Sequence, residues 1–301
     1  MTTLKKYIWV ANELLRAGER GISLRELNER WVRNTDLSCG VEIPRKTFDR
    51  WKWAIEDLFG ISIENQGRGE YRYYFRNPEK MQQGSLARWL LETYSTANVL
   101  SGKLSLSDRI LVDEVPSSQD FLATIMEAMR GNHVVMLTHK KFESDGPYTF
   151  PVAPYCIKMF HRRWYLLAKS IGEDKIRLYG LDRIGDVELT GERFELPKDF
   201  DASGYFDSFF GIVLDENVPV ERIIVRANRQ HQHYLRTLPL HKTQHEIYTC
   251  DEYADFELYL RPTYDFVMEL LHAGAMVEVL EPLSLRETMK GWVSDMWEMY
   301  G

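Results

Sequence analysis

Between Pro44 and Gly60, apolar side chains recur at Phe48, Trp51, Ile55 and Leu58, spaced i, i+3, i+7 and i+10. Only a helix with one buried face places those four together. Pro44 suits the first turn, where a missing N–H costs nothing, and Gly60 suits the end. The same spacing leaves Arg45, Lys46, Thr47, Asp49, Arg50 and Lys52 near the helix start and off the apolar face. A short one-sided helix needs partners to cover that face, so its neighbours decide the fold.

Upstream, Leu4, Ile8, Ala11, Leu14 and Leu15 predict a first helix over 3–17, broken at Gly18 and Gly21. Ser23 and Glu26 have the spacing of a capping box and predict a second helix through Trp31. The polar segment VRNTDLSCGVEI makes a longer link than the simplest helix-turn-helix. After Gly60, residues 61–63 and 71–75 alternate around Asn-Gln-Gly-Arg-Gly-Glu, which predicts a hairpin with a glycine-rich tip carrying Arg68. Helix, helix, basic helix, hairpin is the order of a winged helix-turn-helix over 1–75. Such a helix points Arg and Lys at a major groove. Arg45 and Arg50 are the base-edge candidates, because an arginine fork grips guanine. Lys46, Lys52, Arg68 and Arg72 are candidate phosphate contacts, with Thr47 beside them. The competing reading is a small helical domain whose cations only solvate its surface, or a winged helix that binds protein.

The formal net charge of −7 does not decide between these readings, because the charge is unevenly spread. Residues 1–75 hold 13 Lys and Arg against 11 Asp and Glu, whereas residues 251–301 hold 3 against 11. Phosphate binding answers to the local field. No stretch approaches the roughly 18 apolar residues of a membrane span. MTTLKKYIWVANELL is not a signal peptide, and Cys39, Cys156 and Cys250 lie far apart, so a cytoplasmic protein with reduced thiols is expected.

Residues 76–131 read as a helical linker with amphipathic stretches at Leu86–Tyr94 and from Ser118 through Met129. Helices so placed often form dimer contacts, and a homodimer is inferred without any heptad run. Four or five short strand-like segments then follow, from HVVMLTHKKF to KIRLYGLDRIGDVELTG, and predict a small antiparallel sheet or barrel. Along RRWYLLAKS, Trp164 and Leu166 face one side and Tyr165 the other. Arg177 shares a face with Tyr179. Two arginines and a tyrosine can form a platform for an anion or a base; the alternative is a surface arginine pair matched by Asp182, Asp186 and Glu188.

Over 133–194 the ordered set P-x-x-P-Y, R-W-Y-L-L-A and I-R-L-Y-x-L-D-R-I resembles the WYL domain, named for the tripeptide seen here as Trp164-Tyr165-Leu166. Pro151, Pro154-Tyr155 and Phe194 extend the match. The resemblance implies a small Sm-like β-barrel over 132–195 that follows a winged helix-turn-helix in bacterial transcription regulators. It also implies an effector pocket for single-stranded nucleic acid, a nucleotide-like molecule or a small anion. Carried onto this chain, that pocket would use Tyr165, Arg177 and Arg183, with Trp164 and Asp182 beside it. His139 stands where the family commonly has a tyrosine, which leaves the polarity of the pocket open. Arg162 and Arg163 flank a hairpin turn.

Residues 196–301 alternate strands and helices and resemble the extension that often follows a WYL domain. The expected whole is an α+β protein: winged helix-turn-helix, central Sm-like barrel and C-terminal α/β extension. HQHYLRTLPLHKTQHE holds four of the eight histidines, but no zinc frame orders them. No nucleophile or paired-carboxylate motif stands out, so no enzyme, metal or cofactor is expected. The leading expectation is a ligand-responsive regulator that binds double-stranded DNA. The alternative is a non-transcriptional regulator or scaffold whose WYL-like segment binds single-stranded nucleic acid or protein.

Overall fold

The computed structural model describes residues 2–67, 71–82, 84–101, 109, 111, 120–140 and 146–301. The chain falls into two compact units, Met1–Asp113 and Glu114–Gly301.

The first unit opens with α1 (Thr2–Ala17), α2 (Leu24–Arg33), the single turn α3 (Thr35–Ser38) and α4 (Arg45–Phe59). A hairpin of β1 (Ile63–Asn65) and β2 (Tyr73–Phe75) follows, and then α5 (Leu86–Ser101). The capping box of α2 forms: the Glu26 N–H donates to Ser23 Oγ at 3.2 Å, and the Ser23 N–H donates to Glu26 Oε2 at 2.9 Å. The long link to α4 is pinned from inside. Asn28 accepts from the Ile43 N–H at 2.8 Å and donates to its carbonyl at 3.2 Å, and Trp31 Nε1 donates to the Val41 carbonyl at 3.0 Å. Phe48, Trp51, Ile55 and Phe59 are buried on α4, with Leu58 only packed against the core edge. Trp31 meets Trp9 and Trp51 edge-on at 5.0 and 5.6 Å. Gly21 is required: its φ is +67°, and a Cβ there would stand 2.8 Å from the Tyr73 carbonyl oxygen. That close approach lets Ile22 and Tyr73 exchange backbone hydrogen bonds of 2.9 and 2.8 Å, which ties the hairpin to the start of α2.

The stretch read as a helical linker supplies one helix to each unit. α5 packs on α1, where Asn12 donates to Ser95 Oγ at 2.8 Å. α6 (Leu122–Gly131) lies instead on the central sheet, with Ile125 and Ala128 against Val135, Leu137, Val152 and Leu166.

That sheet is formed by β3 (His133–His139), β4 (Tyr148–Phe160), β5 (Arg163–Ser170), β6 (Lys175–Gly180) and β7 (Ile184–Arg193). Its order is β6-β5-β4-β3-β7, all antiparallel. The expected Sm-like barrel is therefore corrected to an open five-stranded sheet. A three-residue turn, Leu181–Arg183, links the two edge strands, yet no ladder joins them among the described residues. Among the described residues β6 pairs only with β5 and β7 only with β3, so each keeps one edge unpaired and the sheet stays open. The second face is covered by the chain after β7: Phe194, Phe200, and Tyr205 and Phe206 of the short α7 (Ala202–Phe206) lie over Tyr155, Cys156 and Leu167.

The rest of the second unit holds β8 (Glu221–Asn228), α8 (His231–Thr237), β9 (His245–Thr249), β10 (Tyr253–Leu260), α9 (Tyr264–His272), β11 (Val277–Glu281) and α10 (Leu283–Tyr300). Its sheet runs β11-β8-β10-β9, again all antiparallel. Helices and an antiparallel sheet make this extension α+β. β9 lies where the sequence reads as a histidine-bearing loop, because every residue of this edge strand is exposed and no apolar alternation marks it. α10 starts directly behind Pro282.

Candidate functional sites

On α4, the core residues fix which side chains face outward. Arg45, Lys46 and Arg50 are exposed, and Thr47 is half-buried. Arg45 Nε donates to Asp49 Oδ2 at 3.3 Å, and its guanidinium carbon stands 5.5 Å from the Tyr73 ring centroid. Asp49 therefore orients this arginine toward the hairpin side of the helix. Lys46 and Arg50 carry no salt bridge among the described residues. Lys52 reaches sideways and donates to the Ile63 carbonyl at 3.3 Å.

Arg72 has a different position from the other candidate phosphate contacts. Its side chain is only 17% exposed, pairs with Glu26 at 2.7 Å and donates to the Gly21 carbonyl at 3.0 Å. The Ser23 backbone N–H and then Arg72 hold the Glu26 carboxyl down at about 2. Arg72 thus clamps the hairpin to α2. Arg68 lies outside the described residues. Trp53, which the apolar spacing did not single out, stands 72% exposed on α4.

The central sheet divides the six expected effector residues. His139 is buried at 4% exposure, with ring centroids 5.4 Å from Tyr179 and 6.2 Å from Tyr148. Tyr148 stacks on Phe150 at 4.8 Å. Arg177 pairs with Glu173 and shares the face of Tyr179, whose hydroxyl burial pushes up to about 12. Trp164 packs at the edge of the core beneath α6.

Tyr165 lies on the opposite face, paired in register with Gly180. That register brings the Leu181–Arg183 turn to the start of β5. Arg163 Nη1 stands 3.5 Å from Asp182 Oδ2. A Cβ on Gly180 would meet Asp182 Oδ1 at 2.5 Å and Arg183 Nε at 3.4 Å, so the glycine makes room for the cluster. Burial pushes the Tyr165 hydroxyl up, while Arg163 and Arg183 pull it down and Asp182 opposes them. Tyr165, Asp182 and Arg183 therefore come together, with Arg163 as a fourth member that sequence reading left at a turn. His139 and Arg177 belong to the other face.

Among the described residues, no group of three or more His, Cys, Asp and Glu is placed to hold a metal ion. His245 Nε2 stands 2.7 Å from Glu257, and His241 Nδ1 meets Thr243 Oγ1 at 2.8 Å. No helix among the described residues is long and apolar enough to cross a membrane.

Residues 120–189 match the WYL domain family. The chain contains a WYL domain. The WYL match takes in α6 and most of the central sheet, and residues 219–297 match the WCX domain family, which takes in the second sheet. No curated protein matches the sequence. Among solved structures, proteasome accessory factor B/C (PafBC) of Arthrobacter aurescens is 19% identical over 96% of this chain, with a TM-score of 0.34. The WYL-domain chain spans 46% of the length of that protein. A CRISPR Cas-related protein is 11% identical over 98% of this chain and 91% of its own, with a TM-score of 0.39. Superpositions this loose leave the assignment to the two family matches.

Proposed function

We propose that this WYL-domain protein is a regulator that binds duplex DNA through α4 and its hairpin, with the output set by an anionic effector held in the WYL domain. The observation that carries the DNA reading is the outward face of α4. Arg45, Lys46 and Arg50 stand exposed there on a helix whose opposite side is locked in the core. A helix anchored in this way can lie in a major groove without reorganising. Arginine forks would read guanine edges, and lysine would meet phosphate. The effector reading rests on Arg163, Tyr165 and Arg183 around Gly180, two guanidinium groups and a hydroxyl suited to a phosphate or carboxylate. No chemical step is required of either site. The protein acts as a dimer on paired half-sites in this reading.

Replacing Arg45 and Arg50 with alanine tests the DNA arm. Each lost fork contact costs about 1–3 kcal/mol, or about 5–150-fold in affinity for a preferred site. Binding by the double variant that equals the wild type on all duplexes at matched salt would remove α4 from the interface.

A further inference from the structure

We propose that Trp53 is a specificity-determining contact that reads thymine in the major groove. The proposal rests on the DNA-binding reading above and names what one residue of that face recognises.

Trp51, the neighbouring tryptophan on α4, faces inward and is 6% exposed, whereas Trp53 is 72% exposed. At 100° per residue, Lys46, Arg50 and Trp53 form one ridge at i, i+4 and i+7, opposite Phe48, Trp51, Ile55 and Phe59. The indole therefore projects from the side of the helix that carries the two cations without salt bridges. An exposed indole is a large apolar surface that the rest of the unit leaves uncovered. Its flanking charges fix the partner: Lys46 and Arg50 favour a polyanion over an apolar protein groove. Trp53 lies about 10 Å along the axis from Lys46 at 1.5 Å per residue, within the contact length of a groove-bound helix.

The chemistry of the indole then selects the base. Its edge carries one N–H donor and no acceptor, beside a broad apolar surface. In the major groove, thymine alone combines an acceptor, O4, with a methyl group on C5. Cytosine presents a donor at that place, and guanine presents acceptors with no methyl. An indole edge-on to thymine satisfies its N–H and buries the methyl.

The test uses full-length protein and duplexes selected by the wild type from a random library. Affinity is measured for wild type, W53A and W53F on the selected duplex and on the same duplex with every thymine replaced by deoxyuridine, which removes only the methyl. Loss of one buried methyl is worth about fourfold. The wild type is expected to bind the deoxyuridine duplex at least about fourfold more weakly. W53A should bind the thymine duplex more weakly by a similar or larger factor and show no thymine preference. W53F should keep part of the preference. Equal thermal unfolding of the three proteins keeps the comparison on binding. A W53A protein that keeps wild-type affinity, or that loses affinity but keeps the full thymine preference, overturns the proposal. A wild type that enriches no duplex at all overturns the DNA reading itself, a different failure.

Discussion

Two arginines of the first unit look alike in sequence and differ in use. Arg50 and Arg72 both read as DNA contacts, one for a base edge and one for phosphate, but Arg72 pairs with Glu26 and donates to the Gly21 carbonyl. Nothing in local spacing announces that pairing, because the partners are 46 residues apart. The capping box on the other side of Glu26 was legible, since it needs only a three-residue offset. Ser23→Ala should cost about 1 kcal/mol in unfolding free energy, read by urea titration. Glu26 also has a pH signature. Its carboxyl is held near 2 in the folded protein, below its usual 4.5. The stability it gives is present above pH 4.5 and is lost as pH falls toward 2. Comparison of wild type with E26Q should therefore show a wild-type advantage at neutral pH that shrinks across that window. An advantage constant from pH 6 to pH 3 would separate Glu26 from the clamp.

The cluster at Gly180 shows the same limit. Tyr165, Asp182 and Arg183 were legible through the WYL resemblance. Arg163 joins them only through the antiparallel register that sets Tyr165 opposite Gly180. His139 and Arg177 came from the same resemblance but lie on the other face. Arg163→Ala and Arg183→Ala should each lower the response of DNA binding to an added short single-stranded oligonucleotide or nucleotide, leaving effector-free DNA binding unchanged. If R177A abolishes the response and R163A and R183A leave it intact, the site belongs with His139 and Tyr179.

At the scale of elements, strands of the central sheet were readable because their apolar runs and turn residues are local. Their closure was not. Whether five strands form a barrel depends on a ladder between the first and last edges, and no residue pattern specifies it. β9 was unreadable for another reason: an edge strand with both faces wet carries no burial pattern. A link between elements is sharper in the structure than in the sequence. Lys158 at the end of β4 donates to the Gly211 carbonyl at 2.6 Å and stands 4.1 Å from the Phe206 ring centroid. Asp265, at the start of α9, accepts from the Ile212 and Val213 N–H groups at 2.7 and 3.0 Å. One connecting segment is thus held by the central sheet and by the WCX domain together. Burial lowers the Lys158 amine to about 8, against opposition from Asp265 and Cys156. The folded form then sheds this proton near pH 8 while the unfolded chain holds it to about 10.5. Stability should rise with pH between those values through this group. Relative to K158M, the wild type should gain stability from pH 8 to pH 10, measured by thermal or urea unfolding. A flat difference would place Lys158 in water.

At the scale of the whole molecule, the exposed face of α4 and the cluster at Gly180 belong to different compact units. In the proposed reading, effector binding in one unit alters the DNA-binding equilibrium of the other, and such couplings are typically about 1–3 kcal/mol. The net charge of −7 hides this division, because the acidic surplus falls in the last fifty residues and not around α4. Apart from α3, α7 and β9, the order of helices, hairpin and strands was legible along the chain, since local apolar spacing and turn residues mark each element. The partner of α4 was not, because exposed cations look the same whether they meet phosphate or water. Selection of duplex fragments from the host genome, with wild type and the R45A/R50A variant in parallel at matched salt, decides it. Enrichment of a defined set of sites by the wild type, lost in the variant, is the predicted result. Failure of the folded wild type to enrich any duplex above input would contradict the account.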